Sequence, residues 1–399
     1  MTRETGGRRM EWLDAAKGVA LLMVLFSHSM RDEMRTASRT LDVLYRLCYL
    51  FQMPFFFWLT GFTYQLGHKG GAPFHTLAKR ARRQLLPWAA YTLFIYAAFF
   101  LATRIGTVRG VLESAGYAVM PVGKYLRMAV QANNPWAYHL WFVLVLFCIT
   151  IVVTALDMLL GKRPAMTGGA AVAAGLAIWL VQERMELGQW WRLVNYLALY
   201  LAWFGIGMLA AYGWDRLSDM SVAALCAWAG VGLVYGALRA LFFSGFSGNS
   251  LQVEDAALRS AAYLAAYLLL TGTMVGLCLL LSRLKNTARL AQLGRDSFPI
   301  YLFHQPFCCA FLGMLFYGKL HIPALVTMAA CFAASLVVPF LLVQAKNRIL
   351  GGKHTGRHLP DSTGRETQEE NNGICLSDYG SPRTGASENI ASVPGRREK

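Results

Sequence analysis

The chain has 399 residues, of which 56% are hydrophobic and only 15% charged, against about 25% charged in a typical soluble domain. That composition, with 23 Phe and 11 Trp, excludes a soluble globular protein and points to a chain that faces hydrocarbon. The net charge of +16 falls in the loops between apolar runs and in the C-terminal stretch. No basic stretch interleaved with stacking aromatics lies outside those runs, so the charge indicates topology and contact with the anionic lipid bilayer, and no nucleic acid partner.

Apolar stretches able to cross about 30 Å of hydrocarbon fall near 13-30, 43-66, 85-103, 139-160, 168-182, 193-212, 221-243, 260-282, 298-317 and 322-345. The expected fold is therefore all-α and polytopic, with about ten transmembrane helices. An even number of spans puts both termini on one side. That side collects Arg3, Arg8 and Arg9, the run from Lys79 to Arg83, Lys162 with Arg163, and the residues from Arg283 to Arg295, so both ends are expected in the cytoplasm of a multi-pass cell-membrane protein. The first span carries Asp14, Lys17 and His28 and lacks a small-residue cleavage site, which argues against a cleaved signal.

After about residue 346 the composition turns to Gly, Ser, Thr, Asn, Glu and Arg, the signature of disorder. The predicted organisation is a cytoplasmic N-terminal segment at 1-12, an integral-membrane domain at 13-346 and a disordered cytoplasmic C-terminal tail at 347-399. Eight Cys are scattered with no CxxC and read as small core hydrophobes. Nothing resembles a metal motif, a nucleotide-binding glycine loop or a Ser-His-Asp order.

Five segments bear on the chemistry. In WLDAAKGVALLMVLFSHSM, Lys17 and His28 are eleven positions apart. On a helix that is about 16 Å of rise and close to three turns, so both project toward one face. An ionisable group inside the bilayer costs roughly 2.5–3.5 kcal/mol on insertion scales and calls for a reason. Imidazole is the usual general base near neutral pH, and the alternatives are a snorkelling Lys17 and a His28 bonded to a neighbouring helix.

The run KRARRQLLPW places Arg80 and Arg83 on one helix face, with Pro87 where a helix would enter the membrane. Forked guanidinium groups suit phosphate oxygens, although positive-inside anchoring accounts for the same residues. FQMPFFFWLTGF at 51-62 predicts a bulky packing wall with one close backbone approach at Gly61. AYHLWFVLVLF puts His139 and Trp141 at an interface. LGRDSFPIYLFHQPF offers Asp296 and Ser297 as a helix start, with His304 in the apolar body that follows.

Together these segments resemble the integral-membrane acyltransferase 3 family, in particular its branch related to fucose 4-O-acetylases and exopolysaccharide O-acetyltransferases. The matching pieces are DAAKGVALLMVLFSHS, FQMPFFFWLTGF, RARRQLLP, HLWFVLVLF and LGRDSFPIYLFHQP, in order over residues 12 to 307. Two positions depart from the pattern: Lys17 stands where many relatives have Arg, and Gln84 interrupts the basic-apolar run.

The resemblance implies transfer of an acyl group, usually acetyl, from acetyl-CoA to a hydroxyl of a glycan or lipid-linked oligosaccharide, as in polysaccharide modification. No bound cofactor is implied; acyl-CoA is a co-substrate. His28 takes the place of the family's essential histidine and Lys17 that of its basic partner. Arg80 and Arg83 match its paired arginines, and His304 a recurrent histidine, with His139 and Trp141 as further substrate-binding candidates. His28 would either deprotonate the acceptor or carry the acyl group itself. His28 and the arginine pair are expected to converge on one thioester-handling cavity. The rival reading is a transporter or flippase whose buried His and Arg line a pathway for a lipid-linked glycan or acyl donor.

Overall fold

The computed structural model describes residues 10–67, 73–114, 119–182, 185–242 and 256–351. Among them every regular element is helical. In chain order these are α1 (Glu11–His28), α2 (Asp32–Ala37), α3 (Arg39–Leu66), α4 (Pro73–Ala102), α5 (Gly106–Ser114) and α6 (Val122–Val130), then a 3-10 turn (Tyr138–Leu140) leading into α7 (Trp141–Leu159). There follow α8 (Pro164–Gln182), α9 (Trp191–Tyr212), α10 (Trp214–Ser218), α11 (Val222–Phe242), α12 (Ala256–Arg283) and α13 (Ala288–Arg295). Next, α14 (Ser297–Phe303) passes into π-helical turns at His304–Phe311 and Met314–Lys319, and α15 (Ala324–Gly351) closes the order.

Two predicted boundaries move. Helix α1 starts at Glu11, inside the segment assigned to 1-12, and α15 continues to Gly351, five residues past 346. The rest of the expected tail lies outside the described residues. Among the described residues, eight segments are long and apolar enough to cross a membrane, in α4, α7, α8, α9, α11, α12, the α14 unit and α15. The other two predicted spans, 13-30 and 43-66, form α1 and α3.

Helices α1 and α3 tolerate polar residues because other helices, rather than lipid, surround them. Ten of the eighteen residues of α1 are buried, Asp14 among them. Across the α1–α3 interface the Ser27 hydroxyl donates to Gln52 Oε1 at 2.7 Å, so two buried polar groups answer each other. The wall predicted at 51-62 is present: Phe55, Phe57, Trp58, Leu59 and Phe62 are almost fully enclosed. The close approach at Gly61 is present as well. A Cβ there would sit 2.0 Å from the Phe204 carbonyl oxygen on α9, and one at Gly207 would sit 2.0 Å from that of Trp58. Backbone meets backbone at both ends of this α3–α9 contact, which only small residues permit.

Helix α4 begins at Pro73, where the missing N–H of proline costs nothing, and Pro87 lies inside it. The basic run therefore forms the early turns of a long helix. Asp296 does mark a helix start, but as the junction between α13 and α14, and its side chain makes no cap bond. The chain then leaves helical geometry at Gln305 (φ −120°, ψ 150°), directly after His304.

These elements define two ends. Helix α1 runs toward its last residue, His28, and α3 returns antiparallel from Tyr45 and Tyr49 beside it to Tyr64 at the far end. At that far end Trp12, in the first turn of α1, packs on Phe62 of α3.

A histidine-lined cavity as candidate active site

At the end of α1, a cavity of about 410 Å³ opens between the start of α3, the 3-10 turn and the π-helical segment. Ligand pockets typically occupy roughly 300–1,000 Å³, so this one is of a size to admit a small organic group. His28, Tyr49, His139 and Gln305 line its body, with Arg31, Asp32 and Glu33 among its other lining residues.

Three imidazoles meet here from segments far apart in sequence. The His304 ring lies 5.2 Å from that of His28 and 5.0 Å from that of His139, edge to face in both pairs. His304 is completely enclosed and His139 is 3% exposed. His139 Nε2 donates to the Leu302 carbonyl at 3.2 Å, and His304 Nδ1 donates to the Tyr301 carbonyl at 2.6 Å. A carbonyl oxygen only accepts, so in each neutral ring the proton sits on that nitrogen and the other keeps its lone pair. Those other nitrogens, His139 Nδ1 and His304 Nε2, have no partner. Buried acceptors without a donor are rare in folded proteins and mark a place where a donor from a ligand can bind.

The frame holding these rings is itself bonded. The Tyr301 hydroxyl donates to the His139 carbonyl, and the Tyr91 hydroxyl, from α4, donates to the Gln305 carbonyl at 2.7 Å. Gln305 turns its side chain to His28, with its amide nitrogen 3.4 Å from Nδ1. In α2 and the residue before it the charges are matched. Arg31 donates to Glu33 from Nε and Nη2, at 3.1 and 2.9 Å, which holds the Glu33 carboxyl below its ordinary range. Arg35 pairs with Asp32 and stacks 3.7 Å over the Tyr45 ring.

The structure thus unites His28, His139 and His304 and separates the remaining candidates from them. Lys17 sits about 16 Å down α1 and pairs with Asp14 at 3.4 Å, so it is not a contact partner of His28. The Arg80 guanidinium lies 4.5 Å over the Tyr64 ring, while Arg83 is exposed. Tyr64 is fifteen residues from Tyr49 on α3, or about 22 Å of helical rise. The expected convergence of His28 and the arginine pair on one cavity is therefore not observed, and the cavity is lined by none of Lys17, Arg80 and Arg83. Trp141 packs on Tyr196 and Tyr200, at 4.2 and 5.3 Å between ring centroids, and is not among the residues lining the cavity.

Sequence reasoning missed Tyr45, Tyr49 and Gln305. The tyrosines carry no local signal, since an aromatic residue in an apolar run reads as packing. Gln305 did carry one: an amide between a buried histidine and a proline is an expensive residue to bury inside a span.

An imidazole at the wall of such a cavity, with unshared acceptors behind it, is equipped to take a proton from a hydroxyl bound there. The fold and this site define a polytopic helical membrane protein with an enclosed histidine centre. The family model described as "Acyltransferase domain", that of acyltransferase 3, matches residues 10–344, and the chain belongs to this family of membrane acyltransferases. No curated protein and no solved structure matches the chain.

Proposed function

We propose that the protein transfers an acyl group, acetyl from acetyl-CoA, to a hydroxyl of a cell-surface or exopolysaccharide glycan. The observation that supports this reading is the single cavity on which His28 and His139 open, with His304 directly behind, in a chain of acyltransferase family. In the proposed step His28 Nε2 takes the acceptor's proton as the hydroxyl oxygen attacks the thioester carbonyl. The C–S bond breaks, the imidazolium returns the proton to the departing thiolate, and the products are an ester and the CoA thiol. His139 Nδ1, a fixed acceptor, orients a neighbouring hydroxyl of the sugar.

Both termini are assigned to the cytoplasm, so the histidine end faces outward and Arg80 and Arg83 face inward. In this reading the arginine pair anchors the phosphates of CoA. The assignment of those two residues rests on the family resemblance and on the phosphate chemistry of a guanidinium pair.

The test uses purified full-length protein in detergent with labelled acetyl-CoA and a panel of glycans. Acceptor-dependent release of CoA thiol, with label appearing in the glycan, is the expected result. Glycan movement across proteoliposomes with acetyl-CoA left intact would instead make the protein a transporter.

A further inference from the structure

We propose that Gln305 is a positioning residue of the acyl-transfer step: its amide holds the proton of His28 on Nδ1 and so leaves Nε2 bare to act as the base. This rests on the reading of His28 as base given above and adds the group that makes the imidazole competent.

The backbone is built to deliver that amide. His304 keeps helical dihedrals (φ −65°, ψ −28°), and the next residue leaves them. Its carbonyl is taken up by the Tyr91 hydroxyl at 2.7 Å, a side-chain partner from another helix where an unbroken helix would use its own backbone. Held in this way, Gln305 lines the cavity, and its amide nitrogen lies 3.4 Å from His28 Nδ1. With its nitrogen toward the ring the amide donates, which places the proton of a neutral His28 on Nε2 and blocks that nitrogen as a base. A half-turn about the terminal torsion exchanges amide nitrogen and oxygen at nearly the same positions. The oxygen then accepts from Nδ1–H, and Nε2 carries the lone pair. A side chain with one donor and one acceptor end therefore serves both tautomers, and the acceptor end serves the productive one.

The charge of the partner matters as much as its geometry. The groups around His28 are Tyr45 and Tyr49 from α3, Tyr138 and His139 from the 3-10 turn, and His304 and Cys309 from the π-helical segment. Arg31, Asp32 and Glu33 come from the segment that follows it. Both of those carboxylates are engaged by arginines, Glu33 by Arg31 and Asp32 by Arg35, and neither is bonded to His28. The amide is thus an uncharged orienter. A carboxylate in its place would hold the imidazolium as a lasting ion pair. The amide instead fixes the ring and leaves the proton free to pass to the departing thiolate.

Full-length Gln305→Met, which keeps the length and removes the hydrogen bond, and Gln305→Glu, which adds the charge, are assayed in detergent over a range of pH, with melting temperature as the control for folding. In Gln305→Met, kcat should fall by roughly tenfold or more, part of the ~10² to 10⁴ that a general base contributes, with the Michaelis constant for acetyl-CoA unchanged. In Gln305→Glu the acid limb of the pH–rate profile should move to higher pH by about one unit or more. A structural role would move neither the limb nor kcat alone.

Tyr91→Phe, which frees the Gln305 carbonyl without altering the cavity wall, is measured in parallel and should lower kcat in the same direction. A kcat within about twofold of wild type in Gln305→Met, or in Tyr91→Phe should Gln305→Met not fold, overturns the proposal, and so does an unshifted limb in Gln305→Glu. The His28→Ala control separates the two readings. Activity surviving there removes the base itself, whereas activity lost there but intact in Gln305→Met removes only the positioning role.

Discussion

Replacing His28 and His304 separately by Ala should give opposite balances of lost activity and lost stability, because the two rings sit differently in the same cluster. His28 ends α1, is partly exposed to the cavity and makes one long side-chain hydrogen bond, 3.4 Å to Gln305. Its removal should cost stability about 0.5–1.5 kcal/mol, the net worth of one hydrogen bond. As the base it should cost kcat about 10² to 10⁴-fold, or about 3–5 kcal/mol of transition-state stabilisation.

His304 is wholly enclosed and is bonded at 2.6 Å to the Tyr301 carbonyl. Its truncation opens a cavity and strips that carbonyl of its donor, a large-to-small change worth roughly 2–5 kcal/mol of stability. Thermal unfolding of detergent-solubilised protein, set beside CoA release under saturating donor, reads both quantities on one preparation. Should His28→Ala keep a tenth or more of wild-type turnover, or lose it only by unfolding, the assignment of His28 as base is wrong. Should His304→Ala be as stable as wild type, the enclosed bonded ring described above is wrong.

The far end of the molecule gives three further predictions. Arg80→Ala combined with Arg83→Ala should raise the Michaelis constant for acetyl-CoA about tenfold or more and leave kcat near wild type; unchanged donor dependence in initial-rate kinetics would reduce those residues to membrane anchors. Lys17→Ala should lower the melting temperature, because Asp14 beside it is buried, and should leave the pH–rate profile in place; a moved acid limb would mean that Lys17 acts on His28 despite about 16 Å of helix between them. Gly61→Ala and Gly207→Ala should each destabilise by about 1–3 kcal/mol through overpacking, since the added Cβ falls 2.0 Å from a carbonyl oxygen of the facing helix; wild-type melting of both variants would refute the α3–α9 contact.

The helical architecture was legible in the sequence because hydrocarbon thickness and backbone hydrogen bonding leave an apolar chain few alternatives. Every predicted span has a helix in the structure. Eight of these helices are long and apolar enough to cross a membrane, and α1 and α3 fall short because of their polar residues. Glu11, Asp14, Lys17, Gln52 and Gln65 dilute their hydropathy, and some of these groups find partners on neighbouring elements: Thr287 donates to Glu11 and Ser27 to Gln52. These two less apolar helices are nonetheless heavily buried, and the first of them carries His28.

The site was legible one residue at a time and not as a constellation. His28, His139 and His304 each stand out as ionisable groups in apolar segments, but their meeting depends on α1 ending level with the 3-10 turn and with the break at Gln305, which no local spacing encodes. Spacing misled in the opposite direction for Lys17: eleven residues put it on the same helical face as His28, yet rise along the axis, rather than angle around it, decides contact. Arg80 illustrates the same limit, since its three-residue interval to Arg83 places both on one face while burial differs between them, one stacked on Tyr64 and the other in the open. Helical periodicity gives direction around an axis, and chemistry at a site also needs depth along it. Depth here is set by where helices stop, so the residues that end them, His28 for α1 and Gln305 beyond α14, are the ones that meet in the cavity.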